Sequence, residues 1–204
     1  HYSTLRYDTP DASSLAAQVR AVLPDSDAPH EHPSRGLDHG AWVPLKVMYP
    51  SGSVPVLQLS IPTHDPTRLL ALGERLRPLR EQGALIIGSG FMTHGLPFLT
   101  RGALSGAEVP SWSTDFHAWA VEALARGDVE ELAGYRALAP GMPYAHPTVE
   151  HFIPLFVTLG AASDPEQALT VLGLLDLDGV PAADGDVFVA EHSYMAESFL
   201  RSRH

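Results

Sequence analysis

Residues 83–97 read GALIIGSGFMTHGLP, and this stretch decides the predicted fold. Its residues 84–87 form a short apolar run bounded by glycines, a pattern typical of a β-strand that is buried on both faces. The run ends in the triplet GSG, and His94 follows shortly after it. Open α/β sheets place ligands and catalytic groups beyond the carboxyl ends of their strands, so His94 is a candidate functional residue. The alternative is a loop histidine that only hydrogen-bonds a neighbouring carbonyl.

Two helices and two further strands are predicted before this stretch. Residues 66–79 carry leucines at helical spacing, behind an N-cap aspartate and a proline at the first helical position. Residues 11–23 form a second amphipathic helix. Between the two helices, residues 41–49 and 54–61 are rich in β-branched and apolar residues and flank the turn-forming sequence PSGS. Both segments are therefore predicted to be strands.

The second half of the chain is predicted to be mostly helical. Apolar residues share one face over residues 116–124, and Asp128 with Glu131 forms a capping-box pattern that opens another helix. A third helix is expected over residues 152–159, followed by an irregular segment over residues 161–185. This alternation predicts an α/β fold in which a central, mostly parallel or mixed sheet is covered by helices.

The composition limits the function classes. With 204 residues, 45% of them hydrophobic, residues 1–204 can bury one substantial core and are predicted to form a single domain. The net charge of -11 opposes binding to nucleic acid and to anionic membranes. The absence of cysteine excludes disulfides and thiolate metal sites. No apolar run is long enough to span a membrane and no leader is recognised, so a cytoplasmic protein is expected.

The candidate chemistry rests on histidines, because the G-x-S-x-G spacing of a serine nucleophile is absent. His151 lies in the first turn of a predicted helix, whose positive end favours the neutral imidazole that metals bind. Glu150 beside it is a second candidate ligand, and the alternative is a capping histidine next to a solvated glutamate. His39, in a glycine-flanked loop, is either a pocket residue or part of a surface turn. His146 is expected to cap or buttress the loop before His151.

Four segments, in this order, resemble those of the DODA-type (LigB-like, class III) extradiol dioxygenases: RGLDHGAWVPLKVMYP, VPVLQLSI, LIIGSGFMTH and HPTVEHFIPLFVTLGAA. The resemblance covers residues 5–162. It implies a LigB-like α/β fold and a non-haem divalent metal, Fe(II) for turnover and Zn(II) in the resting protein. It also implies that a catechol such as DOPA is cleaved by O2 beside its two hydroxyls.

The resemblance also implies roles for individual residues. His151 resembles the family's C-terminal metal ligand, His94 its acid/base, and His39 a pocket histidine near the substrate. An acid/base is needed because the catechol loses protons on binding and a proton must return as the O–O bond breaks. Gly95 replaces an asparagine that commonly follows the loop histidine, and AEHSYMAESF is a loose counterpart of the family's tail.

Two of the family's metal ligands are not found in this sequence. They belong to an SHG-type and an SAHW-type segment, and neither segment precedes His1, where the chain opens without methionine. We interpret the chain as an N-terminally incomplete dioxygenase domain; the alternative is a naturally shortened relative with a binding or structural role. An incomplete fold would expose apolar surface and strand edges, so poor solubility or homo-oligomers are expected.

Two other function classes remain open at the level of sequence. One is a catalytically inactive relative that binds aromatic ligands without consuming O2. The other is a metal-dependent hydrolase that uses His and Glu ligands and would act without O2. Dependence of turnover on O2 separates all three hypotheses.

Overall fold

The computed structural model describes residues 6–24, 29–104 and 108–162 of the chain. Within these residues lie eight α-helices and two short 3-10 turns. The helices are α1 (Ser13–Val22), α2 (His39–Met48), α3 (Pro66–Leu76), α4 (Arg101–Leu104), α5 (Ser111–Ala125), α6 (Val129–Ala133), α7 (Tyr135–Leu138) and α8 (Pro154–Ala161). The 3-10 turns are Arg77–Gln82, directly after α3, and Leu96–Phe98.

The main apolar core forms where α5, α6 and α7 pack around the start of α8. Its largest fully buried side chains include Phe116, Tyr135 and Phe156. Aromatic rings continue through this core, since the Phe152 ring meets those of Phe116 and Phe156 edge-on at centroid distances of 5.1 and 5.7 Å. The core therefore anchors the turn that leads into α8.

Helices α3 and α8 cross at close range because each has a glycine at the contact. A Cβ on Gly73 would collide with the backbone of α8, and a Cβ on Gly160 would collide with the carbonyl of Leu70. The turn after α3 also holds the end of α8, since the Arg77 guanidinium donates to the Gly160 carbonyl at 2.7 Å. Arg80 donates to the Ala161 carbonyl at 2.8 Å, so two arginines satisfy carbonyls that a helix C-terminus leaves free.

Several predicted helices are confirmed together with their caps. The helix predicted over residues 11–23 is α1. The Asp65 side chain accepts the Thr67 N–H at 2.9 Å and caps α3, which continues as the 3-10 turn. The Asp128 side chain accepts the Glu131 N–H at 2.9 Å and caps α6. These caps could be predicted because a short acidic side chain at an N-cap satisfies an otherwise free N–H.

The strand predicted over residues 41–49 is wrong, because this segment is helix α2. The Asp38 side chain accepts the Ala41 N–H at 3.1 Å and the Asp38 carbonyl accepts the Trp42 N–H at 2.9 Å, which starts a helix. Only Leu45 of this helix is buried, and Val47 is 72% exposed. The β-branched residues that favoured a strand thus contribute little burial, and the cap decides the local structure.

The predicted central sheet is not confirmed. Residues 54–61 and 84–87 are non-helical, but no multi-residue strand is formed among the residues that the structure describes, so neither predicted strand is confirmed. The expected irregular segment and the tail AEHSYMAESF lie, from residue 163 onward, outside the described residues. None of the described helices has both the length and the apolar character needed to cross a bilayer.

Candidate active site

The structure brings together two of the three histidines that the sequence singles out. The rings of His94 and His151 are stacked, with centroids 3.5 Å apart and planes inclined by 13°. The ring of Phe91 lies beside both, at centroid distances of 5.5 Å from His94 and 5.8 Å from His151. Two imidazoles from distant parts of the chain therefore form one polar site beside the aromatic ring of Phe91.

Backbone contacts between two loops place this pair. The Phe91 N–H donates to the His151 carbonyl at 2.8 Å, and the His94 N–H donates to the Ala145 carbonyl at 2.7 Å. The first loop passes so close to the second that a Cβ on Gly90 would collide with the His151 carbonyl. The glycines of the GSG triplet are therefore explained by the close approach of two backbones.

Gly95, which departs from the family pattern, is explained by its neighbours. A Cβ at this position would collide with the Tyr144 carbonyl and would also lie against the Trp112 ring at 2.8 Å or less. The backbone is thus too close for an asparagine side chain in this arrangement. The indole of Trp112 lies where a larger residue at position 95 would extend.

Glu150 is the acidic neighbour of the stacked pair. Its Oε1 lies 3.3 Å from Nδ1 of His151 and accepts a hydrogen bond from the Thr148 hydroxyl at 2.7 Å. Partial burial raises the pKa of Glu150, but the Thr148 hydrogen bond and the nearby histidines outweigh it, so the net pKa lies below its usual range. Glu150 is therefore an anion at neutral pH.

The electrostatics keep His94 neutral. Burial lowers the pKa of His94 below 6.5, and repulsion by a protonated His151 lowers it further, with partial compensation from Glu150. A neutral imidazole at pH 7 has a free lone pair and can accept a proton. His94 therefore has the protonation state that a general base requires.

His39 lies near this site but outside the stacked pair. It is the first residue of α2, and its side chain is exposed. Gly40 beside it approaches Ser89 of the GSG triplet, since a Cβ on Gly40 would lie 3.7 Å from Ser89 Oγ. Asp38 is held by reciprocal hydrogen bonds with Gln58, at 2.9 Å from the Asp38 N–H and 2.8 Å from the Gln58 amide. The start of α2, where His39 lies, therefore approaches the GSG triplet that precedes Phe91, on what is called here the His39 side of the site.

His146 is more deeply placed than the sequence indicates. Its side chain is 1% exposed, and its Nε2 lies 2.8 Å from the Met92 carbonyl. Burial lowers the pKa of His146 to about 4, although the Met92 hydrogen bond acts in the opposite direction. The only sequence signal for it was its position five residues before His151.

A complete metal site is not formed by the described residues. Among residues 6–24, 29–104 and 108–162, no group of three or more His, Asp or Glu side chains is arranged to hold a metal ion. His151 and Glu150 are adjacent, but two side chains fall short of the usual ligand set for an iron or zinc centre. The described residues therefore offer a partial ligand set beside a neutral imidazole, His94, that can accept a proton.

Comparisons with known proteins agree on one family. Residues 2–182 match the family model described as "Catalytic LigB subunit of aromatic ring-opening dioxygenase". The "4,5-DOPA dioxygenase extradiol" of Beta vulgaris is 41% identical over 169 residues, covering 80% of this chain and 61% of the relative. The protein of that name from Mirabilis jalapa is 39% identical over 163 residues, covering 78% and 59%. That from Escherichia coli strain K12 is 31% identical over 170 residues, covering 81% and 61%.

The chain spans about three fifths of the length of these curated relatives. Among solved structures, the crystal structure of an uncharacterized protein from Escherichia coli K12 is similar, with a TM-score of 0.67 and 28% sequence identity. The likeness covers 78% of this chain and 66% of that chain. Both stacked histidines lie within the residues matched by the family.

Proposed function

The chain belongs to the family of the catalytic LigB subunit of aromatic ring-opening dioxygenases and shares its fold, and from this membership we propose that the protein performs extradiol cleavage of a catechol by O2. The names of the relatives from Beta vulgaris and Mirabilis jalapa support a substrate similar to DOPA. The observation that carries the proposal is the stacked pair of His94 and His151, which lies within the matched residues.

His94 is the proposed acid/base. It is neutral at pH 7 because burial lowers its pKa, so it can accept a proton from a catechol hydroxyl and return it later in the reaction. His39 is the proposed substrate-binding residue, supported by the approach of the adjacent Gly40 to Ser89 of the GSG triplet. Phe91 adds an apolar ring next to both imidazoles, where a planar substrate can be bound out of water.

The proposed cofactor is Fe(II) for turnover, with Zn(II) as an alternative occupant of the resting protein, and His151 is the proposed protein ligand. The described residues alone do not fit a complete metal site, because they hold no group of three or more suitable side chains. The proton transfers are therefore assigned to protein side chains. Glu150, whose Oε1 lies 3.3 Å from Nδ1 of His151, is a second candidate ligand.

The fold-level part of the proposal extends beyond the described helices. We propose that residues 1–204 form a single catalytic domain and that residues 54–61 and 84–87 are strands of a central sheet. Their non-helical backbone and the similarity to the Escherichia coli structure support this arrangement. The proposed partners are a small-molecule catechol and O2, and the protein is proposed to form a homo-oligomer. The net charge of -11 opposes nucleic-acid binding.

A second candidate function is that of a protein which binds catechols without cleaving them. It is favoured by one observation, the incomplete ligand set among the described residues. Such a protein would retain the stacked imidazoles and the Phe91 ring as a binding surface. It would bind DOPA without consuming O2.

Anaerobic Fe(II) titration followed by O2 uptake with DOPA and protocatechuate tests the proposal. We expect one Fe(II) per chain, binding that is lost in His151→Ala, and O2 uptake that depends on the catechol. His94→Gln should lower kcat by about 100-fold or more, because an acid/base contributes a factor of that order, and should leave Fe(II) binding in place. His64→Gln is the matched control, since His64 is exposed just before α3.

Two results would contradict the proposal. Unchanged ring cleavage in His94→Gln would remove His94 from the chemistry. Binding of DOPA by the wild-type chain with Fe(II) present but without O2 uptake would favour the binding protein.

A further inference from the structure

Three hydrogen bonds join the loop that carries His94 to the loop that precedes α8. The two outer ones are backbone bonds, from Phe91 to the His151 carbonyl and from His94 to the Ala145 carbonyl. The middle one comes from a side chain, His146, whose Nε2 lies 2.8 Å from the Met92 carbonyl. The side chain of His146 thus supplies the middle hydrogen bond, and backbone N–H groups supply the bonds on either side of it.

We propose that His146 is a positioning residue, which sets the register of these two loops and so holds the rings of His94 and His151 face to face. The Met92 carbonyl lies between the two residues whose backbones make the outer bonds. Removing the middle bond leaves Met92 free to turn, and a shift of His94 relative to His151 follows. The stacking distance of 3.5 Å leaves little room for such a shift.

The His146 ring is held from both sides by the main core. Its centroid lies 5.0 Å from that of Phe116, which meets it edge-on, and 5.2 Å from that of Phe152. Phe116 belongs to α5, and Phe152 directly follows His151 along the chain. His146 therefore connects the rigid core to the loop of His94, and the core fixes the direction of its hydrogen bond.

The partner of Nε2 determines the tautomer of His146. A carbonyl only accepts hydrogen bonds, so Nε2 carries the hydrogen and Nδ1 has a lone pair. Nδ1 is buried and has no hydrogen-bond partner within the described part of the chain. Burying an unpaired acceptor is unfavourable, so packing alone does not explain a histidine here, whereas the bond to Met92 does.

A pair of substitutions separates the hydrogen bond from the volume of the ring. His146→Gln places an amide donor near the position of Nε2, and His146→Met fills a similar volume without a donor. Histidine ring signals in NMR spectra report the stacking directly, because each ring shifts the protons of the other upfield. We expect the upfield shifts of His94 and His151 to persist in His146→Gln and to be largely lost in His146→Met.

Leu79→Ala is the control for a general loss of stability. Leu79 is buried in the separate cluster between α1 and the turn after α3, and its truncation should leave the shifts intact. Unchanged shifts in His146→Met, or shifts lost equally in His146→Gln, would overturn the proposal. The wild-type chain offers a further check that needs no variant, since its spectrum must show His146 neutral with the hydrogen on Nε2. The other tautomer would also overturn it.

The consequence for turnover rests on the proposed function. If the protein cleaves catechols, His146→Met should lower kcat by about 100-fold with a smaller change in KM, because misplacing a catalytic group by about 1 Å has effects of that size. His146→Gln should recover most of that loss. A wild-type chain without O2 uptake would remove the proposed function, while the ring signals would still decide whether His146 positions the pair.

Discussion

The two sides of the candidate site are built in different ways. On the side of His94 and His151, the loops are joined by three hydrogen bonds and rest on a core whose central aromatic rings are fully buried. On the side of His39, an exposed residue starts a partly exposed helix, and the Asp38–Gln58 pair holds it. The first side is suited to hold reacting groups at fixed distances, whereas the second is more exposed to solvent.

The largest effect on stability should come from the crossing of α3 and α8, which supports the side of His94 and His151, called here the rigid side. Gly73→Val places side-chain atoms where the backbone of α8 lies, so we expect it to reduce the free energy of unfolding by more than about 3 kcal/mol. Gly36→Ala is the control on the other side. Gly36 has a φ of 73° and nothing within 4 Å of an added Cβ, so only backbone strain of about 1 to 2 kcal/mol is expected.

Urea denaturation of the two variants measures this difference. Equal losses of unfolding free energy in both variants would mean that the two sides tolerate substitution equally well, which would contradict the contrast between them. A loss near zero in Gly73→Val would show that the backbones of α3 and α8 are not in van der Waals contact at this glycine.

The next effect is a dependence of stability on pH, and it again concerns the rigid side. The folded-state pKa of His146 is lowered to about 4 from 6.5, so between these values the unfolded chain takes up a proton that the folded chain does not. The stability that neutral His146 contributes is therefore present above pH about 6.5 and is lost as the pH falls towards about 4. The shift corresponds to roughly 3 kcal/mol.

Carboxylates also titrate in this range, so the measurement needs His146→Gln as its reference. We expect the free energy of unfolding of the wild-type chain to fall more steeply between pH 6.5 and 4 than that of the variant. Parallel curves would show that His146 is accessible to protons in the folded state, which contradicts its burial.

The rigid side could be predicted only in part from sequence. His94 and His151 were found because each has a local signal, a glycine loop after an apolar run and the first turn of a helix. Their stacking depends on contacts between residues more than fifty positions apart, such as His146 with Met92. The acceptor there is a backbone carbonyl, which every residue has, so no residue type marks it.

The His39 side was predicted less well, for a different physical reason. Apolar and β-branched residues over residues 41–49 favoured a strand, whereas the Asp38 side chain caps a helix that starts there. The sheet expected next to it depends on pairing between distant segments, which no local pattern specifies. The caps of α3 and α6 could be predicted because they involve neighbouring residues only.

The smallest effect should come from Asp38, which tests how the His39 side is held. Asp38→Ala removes the cap of α2 and the hydrogen bond that its carboxylate accepts from the Gln58 amide, so we expect a loss of about 1 kcal/mol in the free energy of unfolding. Catechol binding should weaken by a few-fold, while kcat stays within about twofold, because the stacked pair is not displaced. Asp38→Asn keeps an oxygen that can cap α2 but loses the second acceptor for the Gln58 amide, so its loss should lie between zero and that of Asp38→Ala. A large fall in kcat for Asp38→Ala would show that His39 takes part in the chemistry, and the two sides of the site would then share one function.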